Sequence, residues 1–224
     1  MTDPHVSVVL PVLQPSVELA DVAARHATAL AEGLGVPFEL ILVAPGGTTP
    51  PALPAHSAVR TLAAPGPGWG AAVRAGLGAA RGQTLCYTNG GVDPAELVAM
   101  LRGSLASPEV VVRVNRKTRS SLARRIGSLA FNGLCRRLFR LSCWDVNGTP
   151  KVFDRTHHPA LLALRSTNDL IDLEFTIRCH REGYAVVEHP VHTNTVQNER
   201  PLGLTGSTAL FLGAWRMAHE HGGS

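Results

Sequence analysis

The alternation of strand and helix across residues 6–43 constrains this chain more than any other feature. Val6 to Val12, VSVVLPV, is nearly continuous in β-branched and apolar residues, the composition of a strand covered on both faces. Ser16 then caps a helix in which Leu19, Val22, Ala23, Ala27, Leu30 and Leu34 recur at helical spacing, with Gly35 and Pro37 beyond its end. Phe38 to Val43 is a second strand, closed by Pro45-Gly46-Gly47. A strand, a helix and a strand joined by short connections form a βαβ unit, so a parallel sheet begins here. The expected fold class is α/β, with one domain over residues 1–224 built on a mostly parallel sheet flanked by helices.

The remaining pattern extends that sheet. A proline-rich loop, Thr48 to Ala58, precedes a short strand, Val59 to Leu62, and an alanine-rich helix from about Ala71 to Ala80 follows PGPGWG. Gly66, Gly68 and Gly70 do not have the GxGxxG spacing of a dinucleotide fingerprint and do not follow the first strand, so they read as a tight turn that permits close helix packing. Thr84 to Thr88 is a strand broken by Gly90 and Gly91, after which Asp93-Pro94 reads as an N-cap and a first-turn proline. Ligands of open α/β sheets sit at the carboxyl ends of the strands. This turn is therefore the first candidate for a site.

Beyond it come a helix, Pro94 to Leu105, and a strand, Val110 to Val114. A long helix, Arg119 to Leu141, is expected to bury Leu122, Ile126, Leu129, Gly133, Leu134 and Leu138 and to turn its arginines elsewhere. Asp145 and Asn147 lead into a turn at Gly148, and Lys151 to Phe153 returns as a strand. Asp172 and Glu174 stand at positions i and i+2 of a following helix and point to different faces. Ala185 to Val191 is the last strand, Asn194 to Leu204 a polar loop and Gly206 to His221 a terminal helix.

Charge is unevenly placed. Nine of the 21 Lys and Arg lie between Arg113 and Arg140, with no acid between Glu109 and Asp145, which points to an anion site or an anionic contact surface. Arg113, Arg116 and Lys117 sit at or just after a strand's carboxyl end, where they could reach a phosphate. Nucleic acid is not expected as the partner, because the basic stretch lacks interleaved exposed aromatics. No Asp or Glu occurs from residue 40 to residue 92, so carboxylate chemistry from that stretch is excluded. Cys86, Cys135, Cys143 and Cys179 have no CxxC or CxxH spacing and read as core thiols in a reducing cytoplasm. The histidines have no metal-ligand partners in sequence. No apolar run approaches the roughly 18 residues of a membrane helix, and the start MTDPHVSVVLPVL lacks a basic n-region, so a soluble cytoplasmic protein is expected.

Taken together, these blocks resemble the family 2 glycosyltransferases of the GT-A fold, and among them the dolichol- or polyprenyl-phosphate sugar transferases. VVLPV, ending near Pro11, looks like the family's first strand, and GWGAAVRAGLGAARG is similar to its G-x-G-A-A-x-R-x-G-L-x-x-A-x-G block. Arg125, Ser128, Asn132, Leu134 and Arg136 follow its R-x-x-S-x-x-x-N-x-L-x-R pattern. WDVNGTPKVFDR resembles its D-x-x-x-G-x-K-x-F-x-R segment, with Gly148 one position early, and DLEFTIRCHREGYAVVEHPV is very like its ending. Two departures stand out. Ala44-Pro45-Gly46 replaces the family's Asp-Asp-Gly, and its DxD metal motif falls on Thr88, Asn89 and Gly90.

The resemblance implies a nucleotide-sugar donor and a lipid-phosphate or small-molecule acceptor. Its site would use Pro11, Asn89, Gly90 and Asn147 around the substrate. Asp145 would serve as base or acceptor-orienting group, with Asp172 and Glu174 as alternates. Because both metal carboxylates are missing, no divalent cofactor is expected, and Arg113, Arg116, Lys117, Lys151 and Arg200 would stabilise the leaving group in its place. The other reading is a non-catalytic shell that binds an anionic ligand or protein partner. The terminal helix has two expected uses: peripheral contact with the inner membrane face, or packing on the sheet or on a second copy as a homo-oligomer.

Overall fold

A computed structural model describes residues 3–12, 17–44, 46, 57–116, 122–191 and 204–221. Ser16, Lys117, Arg119 and Arg200, most of the loop expected at 48–58, and residues 194–203 of the polar loop lie outside the described residues. The strands are β1 (Val6–Pro11), β2 (Phe38–Ala44), β3 (Val59–Ala63), β4 (Thr84–Tyr87), β5 (Val110–Arg116), β6 (Lys151–Asp154) and β7 (Ala185–Val191). The helices are α1 (Val17–Gly33), α2 (Trp69–Ala79), α3 (Pro94–Ala106), α4 (Leu122–Phe139), α5 (Ile171–Arg181) and α6 (Leu204–His221). The strands form one sheet in the order β3-β2-β1-β4-β6-β5-β7. Every neighbouring pair is parallel except those of β6, which runs antiparallel to β4 and β5. The α/β class and the mostly parallel sheet are as the sequence predicts.

One apolar layer lies on each face of the sheet. Val8, Leu10, Leu40, Cys86 and Val114 face α1 and α3, whereas Val9, Ile41, Leu85, Tyr87, Val111 and Phe153 face α2 and α5. Each fully buried aliphatic or aromatic side chain contributes about 1.5–3 kcal/mol by leaving water. Gly68, Gly70 and Gly76 of the α2 segment are there for contact, whereas a Cβ on Gly66 or Gly78 would meet nothing within 4 Å. A Cβ on Gly76 would lie 2.2 Å from Val9 Cγ1, and one on Gly70 would lie 2.4 Å from the Ser166 carbonyl oxygen. Close packing is thus the geometry at this turn.

A third cluster joins α4, α5 and α6. Here the expected helix face is wrong: α4 buries Phe131, Asn132 and Cys135, while Ile126, Leu129 and Gly133 face solvent. The Phe131 ring packs edge-on against Phe211 of α6 at 5.5 Å, and Cys135 sits with Leu173 and Ile177 of α5. An aromatic anchor at 131 fixes the helix's rotation, and the lighter aliphatic row lies on the opposite side. β5 also runs two residues further than predicted, so Arg116 is its last residue.

Candidate functional site

The carboxyl ends of β1, β4 and β5 make one edge, and the antiparallel β6 brings its own beginning to the same place. Lys151 at the start of β6 is in register with Tyr87 on one side and Arg113 on the other. Lys151 is 0% exposed. Its ammonium contacts Asp172 Oδ1, donates to the Val146 carbonyl at 3.2 Å, and lies 5.6 and 5.5 Å from the ring centres of Tyr87 and Phe175. Tyr87 donates its hydroxyl to the same Asp172 oxygen at 2.9 Å. Burial pulls the Lys151 ammonium below its ordinary value against the opposing charge of Asp172, and burial with that same carboxylate holds the Tyr87 phenol well above its own.

The second ion pair borders the loop 145–148. Arg116 donates Nε to Asp145 Oδ2 at 2.8 Å and Nη2 to Oδ1 at 3.0 Å, and its backbone N–H adds a third bond at 3.2 Å. Burial acts to lower the guanidinium, but Asp145 outweighs it and keeps Arg116 above its ordinary value. Gly148 is required beside them, since a Cβ there would stand 2.2 Å from the Val114 carbonyl oxygen. Asn132 of α4 accepts from the Val146 N–H at 3.1 Å and so holds this loop from behind. The Asn147 side-chain oxygen is buried and has no hydrogen-bond partner.

The other expected site residues are placed as follows. Pro11 ends β1. Thr88 Oγ1 accepts from Gly90 N at 3.1 Å, and Asn89 Oδ1 accepts from Gly91 N at 3.0 Å, so both side chains close their own turn. Gly90 has φ 75° and packs so tightly that a Cβ would meet Val22 Cγ1 at 2.8 Å. Arg113 donates to Glu188 of β7 at 2.6 Å, and Asn115 donates to the other Glu188 oxygen at 2.7 Å. Glu174 points away from Asp172 and accepts from the N–H groups of Arg165 and Ser166, each at 2.8 Å. The segment thus fixed carries the Thr167 carbonyl that receives Ala71 N–H at 2.9 Å, at the start of α2. Lys117 and Arg200 lie outside the described residues.

Asp145, Arg116, Asn147, Lys151 and Asp172 therefore converge, and Asn89 and Gly90 lie at the end of the neighbouring strand. Arg113 and Glu174 belong to separate pairings at its margin. Sequence reasoning missed Tyr87 and Trp69, and met Asn132 only as a member of a family pattern, without a role. Trp69 opens α2, is 6% exposed, meets the Tyr87 ring at 6.5 Å and leaves its indole N–H without a partner. A tyrosine at the last position of a strand, on the side of the helix with two acids, was the available signal.

No protein-family model and no curated protein sequence matches the chain. Solved structures do match its fold. Glucosyl-3-phosphoglycerate synthase from Mycobacterium tuberculosis, in complex with Mn2+, UDP and phosphoglyceric acid, superposes with a TM-score of 0.71 at 18% identity, over 96% of this chain and 78% of that one. The same enzyme with Mn2+, UDP-glucose and phosphoglyceric acid gives 0.68 at 18%, over 96% and 79%. Its complex with Mg2+ and UDP gives 0.68 at 17%, again over 96% and 79%. The chain has the GT-A glycosyltransferase fold.

These structures correct the expectation of a site without a divalent cofactor. In the synthase, on this fold, Mn2+ or Mg2+ accompanies UDP. The side chains expected to stand in for such an ion are also committed elsewhere: Lys151 to Asp172, Arg113 to Glu188 and Arg116 to Asp145. The described residues do not assemble a ligand set for the ion, since Thr88 and Asn89 are neutral and no group of three His, Cys, Asp or Glu among them is placed to hold one.

Proposed function

We propose that this protein is a glycosyltransferase that binds a sugar nucleotide at the carboxyl edge of β1 and β4 and passes the sugar to a phosphate-bearing acceptor. The observation that carries the reading is the joint one: a GT-A fold matched over 96% of the chain, and a buried polar cluster built on two ion pairs at the end of the sheet where such folds hold ligands. In the transfer, the bond between the anomeric carbon and the diphosphate oxygen breaks, the nucleoside diphosphate leaves with the electron pair, and an acceptor oxygen bonds to the anomeric carbon. A hydroxyl acceptor gives its proton to Asp145, whereas an ionised phosphate has none to give. Lys151 spends its ammonium on Asp172 and the Val146 carbonyl. It is a positioning residue, which holds the loop 145–148 through Val146. Arg116 orients Asp145, and Asn147 turns a buried, unpartnered amide oxygen to the acceptor. Lys117 and Arg200 are proposed as phosphate contacts.

The acceptor is either a small phosphorylated acid, of the kind named with the synthase, or a lipid phosphate. The test is release of nucleoside diphosphate from a panel of sugar nucleotides, with Mg2+ and with Mn2+, in the wild type and in Asp145→Asn. The variant should lose at least about 100-fold in kcat with a hydroxyl acceptor while still being stabilised by the donor. Unchanged turnover removes Asp145 from its role.

A second reading has its own observation. Thr88 and Asn89 satisfy their own turn where a metal-binding site would offer carboxylates. A non-catalytic GT-A shell would bind the anionic ligand and release nothing in that assay.

A further inference from the structure

The row that the sequence assigned to the interior of α4 is on its outside. Ile126 is 59% exposed and Leu129 62%; Arg136 and Arg137 follow further along the same face, and Arg140 comes just past the helix end. α6, which packs on α4 through Phe131 and Phe211, turns Leu212 (57% exposed) and Trp215 (51%) outward beside Arg216. Trp144, 63% exposed, lies flat under the Arg136 guanidinium at 4.3 Å. Large apolar side chains, two tryptophans among them, are thus set beside arginines, and on the α4 side the chain has no acid from residue 110 to residue 144.

We infer that the outer faces of α4 and α6 form a docking surface for an anionic lipid bilayer. The charge selects this occupant over a second copy of the chain. An isologous dimer brings one patch onto its own equivalent and would set arginine against arginine, whereas acidic headgroups complement them. An indole ring with an arginine stacked on it, as at Trp144, suits the headgroup layer, and exposed Ile and Leu enter the acyl boundary. No described helix is long and apolar enough to cross a membrane, so the contact is peripheral. Trp144 immediately precedes Asp145, which puts the bilayer beside the loop 145–148. The inference rests on this surface alone and holds whether or not the protein transfers sugar.

The experiment is co-sedimentation of the full chain with phosphatidylcholine vesicles and with vesicles that also contain phosphatidylserine, at low and high salt. The wild type should bind the phosphatidylserine vesicles, and salt should weaken that binding. Arg136→Gln/Arg137→Gln/Arg140→Gln should bind roughly 100-fold less, at about fivefold per basic residue near an anionic surface. Ile126→Asp/Leu129→Asp should lose at least about tenfold through lost apolar burial. Four of these positions are exposed and Arg136 is half-buried over Trp144, so unchanged melting temperatures confirm folding. Absence of vesicle binding by the wild type overturns the inference, and so does binding that neither set of substitutions alters. A dimer seen by light scattering and split by Leu129→Asp assigns the surface to a second copy instead.

Discussion

Lys151 and Asp172 form a charge pair away from water, and each depends on the other. Removing one partner of a buried pair leaves an uncompensated charge at a cost of about 3–5 kcal/mol, whereas replacing both with apolar groups of similar size is close to neutral. Lys151→Met and Asp172→Leu should therefore each lower the urea-unfolding free energy by about that amount, and the double variant should recover most of it. Additive losses would show that the two charges are not coupled. The sequence made Asp145 and Lys151 legible as polar residues spaced as in a known family, and Asp172 as an acid on the following helix, but not their pairing. Asp145 and Arg116 are 29 residues apart, and the bidentate contact between them comes from the end of β5 meeting the loop before β6. Tyr87 and Trp69 were hidden by composition, because an aromatic side chain in an apolar strand or at a helix start reads as core.

At the level of elements, glycine placement decides how closely α2 approaches its neighbours. Gly70→Ala would drive a Cβ to within 2.4 Å of the Ser166 carbonyl oxygen and 2.7 Å of that of Asn168, both backbone atoms. That substitution should cost about 2–4 kcal/mol. Gly133→Ala, in the exposed interior of α4 with nothing within 4 Å, should instead add about 0.5–1 kcal/mol. Paired thermal melts check both signs. Strands and helix starts were readable from the chain because their causes are local: Asp93 does accept the Ala95 N–H at 2.8 Å, ahead of Pro94. The rotation of α4 was not. Its two candidate faces differ little in apolar content, and the choice lies with Phe211, Leu173 and Ile177 on other helices.

For the whole molecule, buried titratable groups set the pH range of stability. Burial lowers the His26 imidazole from 6.5, so below about pH 6.5 the unfolded chain takes up a proton that the native chain refuses, and stability falls with falling pH. Burial pushes the thiols of Cys135 and Cys179 from 9.0 up to about 12 and raises Cys86 further. Above about pH 9 the unfolded chain gives up protons that the native chain keeps, so stability falls with rising pH. Lys151 acts in the opposite sense, but one ammonium is outnumbered by these thiols. Urea midpoints should plateau between those limits, and His26→Gln should flatten the acid limb. The α/β class and sheet were legible because alternating periodicity dictates them. The divalent ion that accompanies UDP in the synthase was not, because Thr88 and Asn89 carry no carboxylate that would signal it. The central claim, that the carboxyl edge of this sheet takes a sugar nucleotide, is tested most directly by thermal shift of the purified chain against nucleoside diphosphates and sugar nucleotides, each with Mn2+, with Mg2+ and with chelator. A ligand at 100 times its Kd stabilises the native state by about 2.7 kcal/mol, and the account predicts that at least one sugar nucleotide raises the melting temperature accordingly. No shift with any nucleotide under any of the three conditions contradicts it.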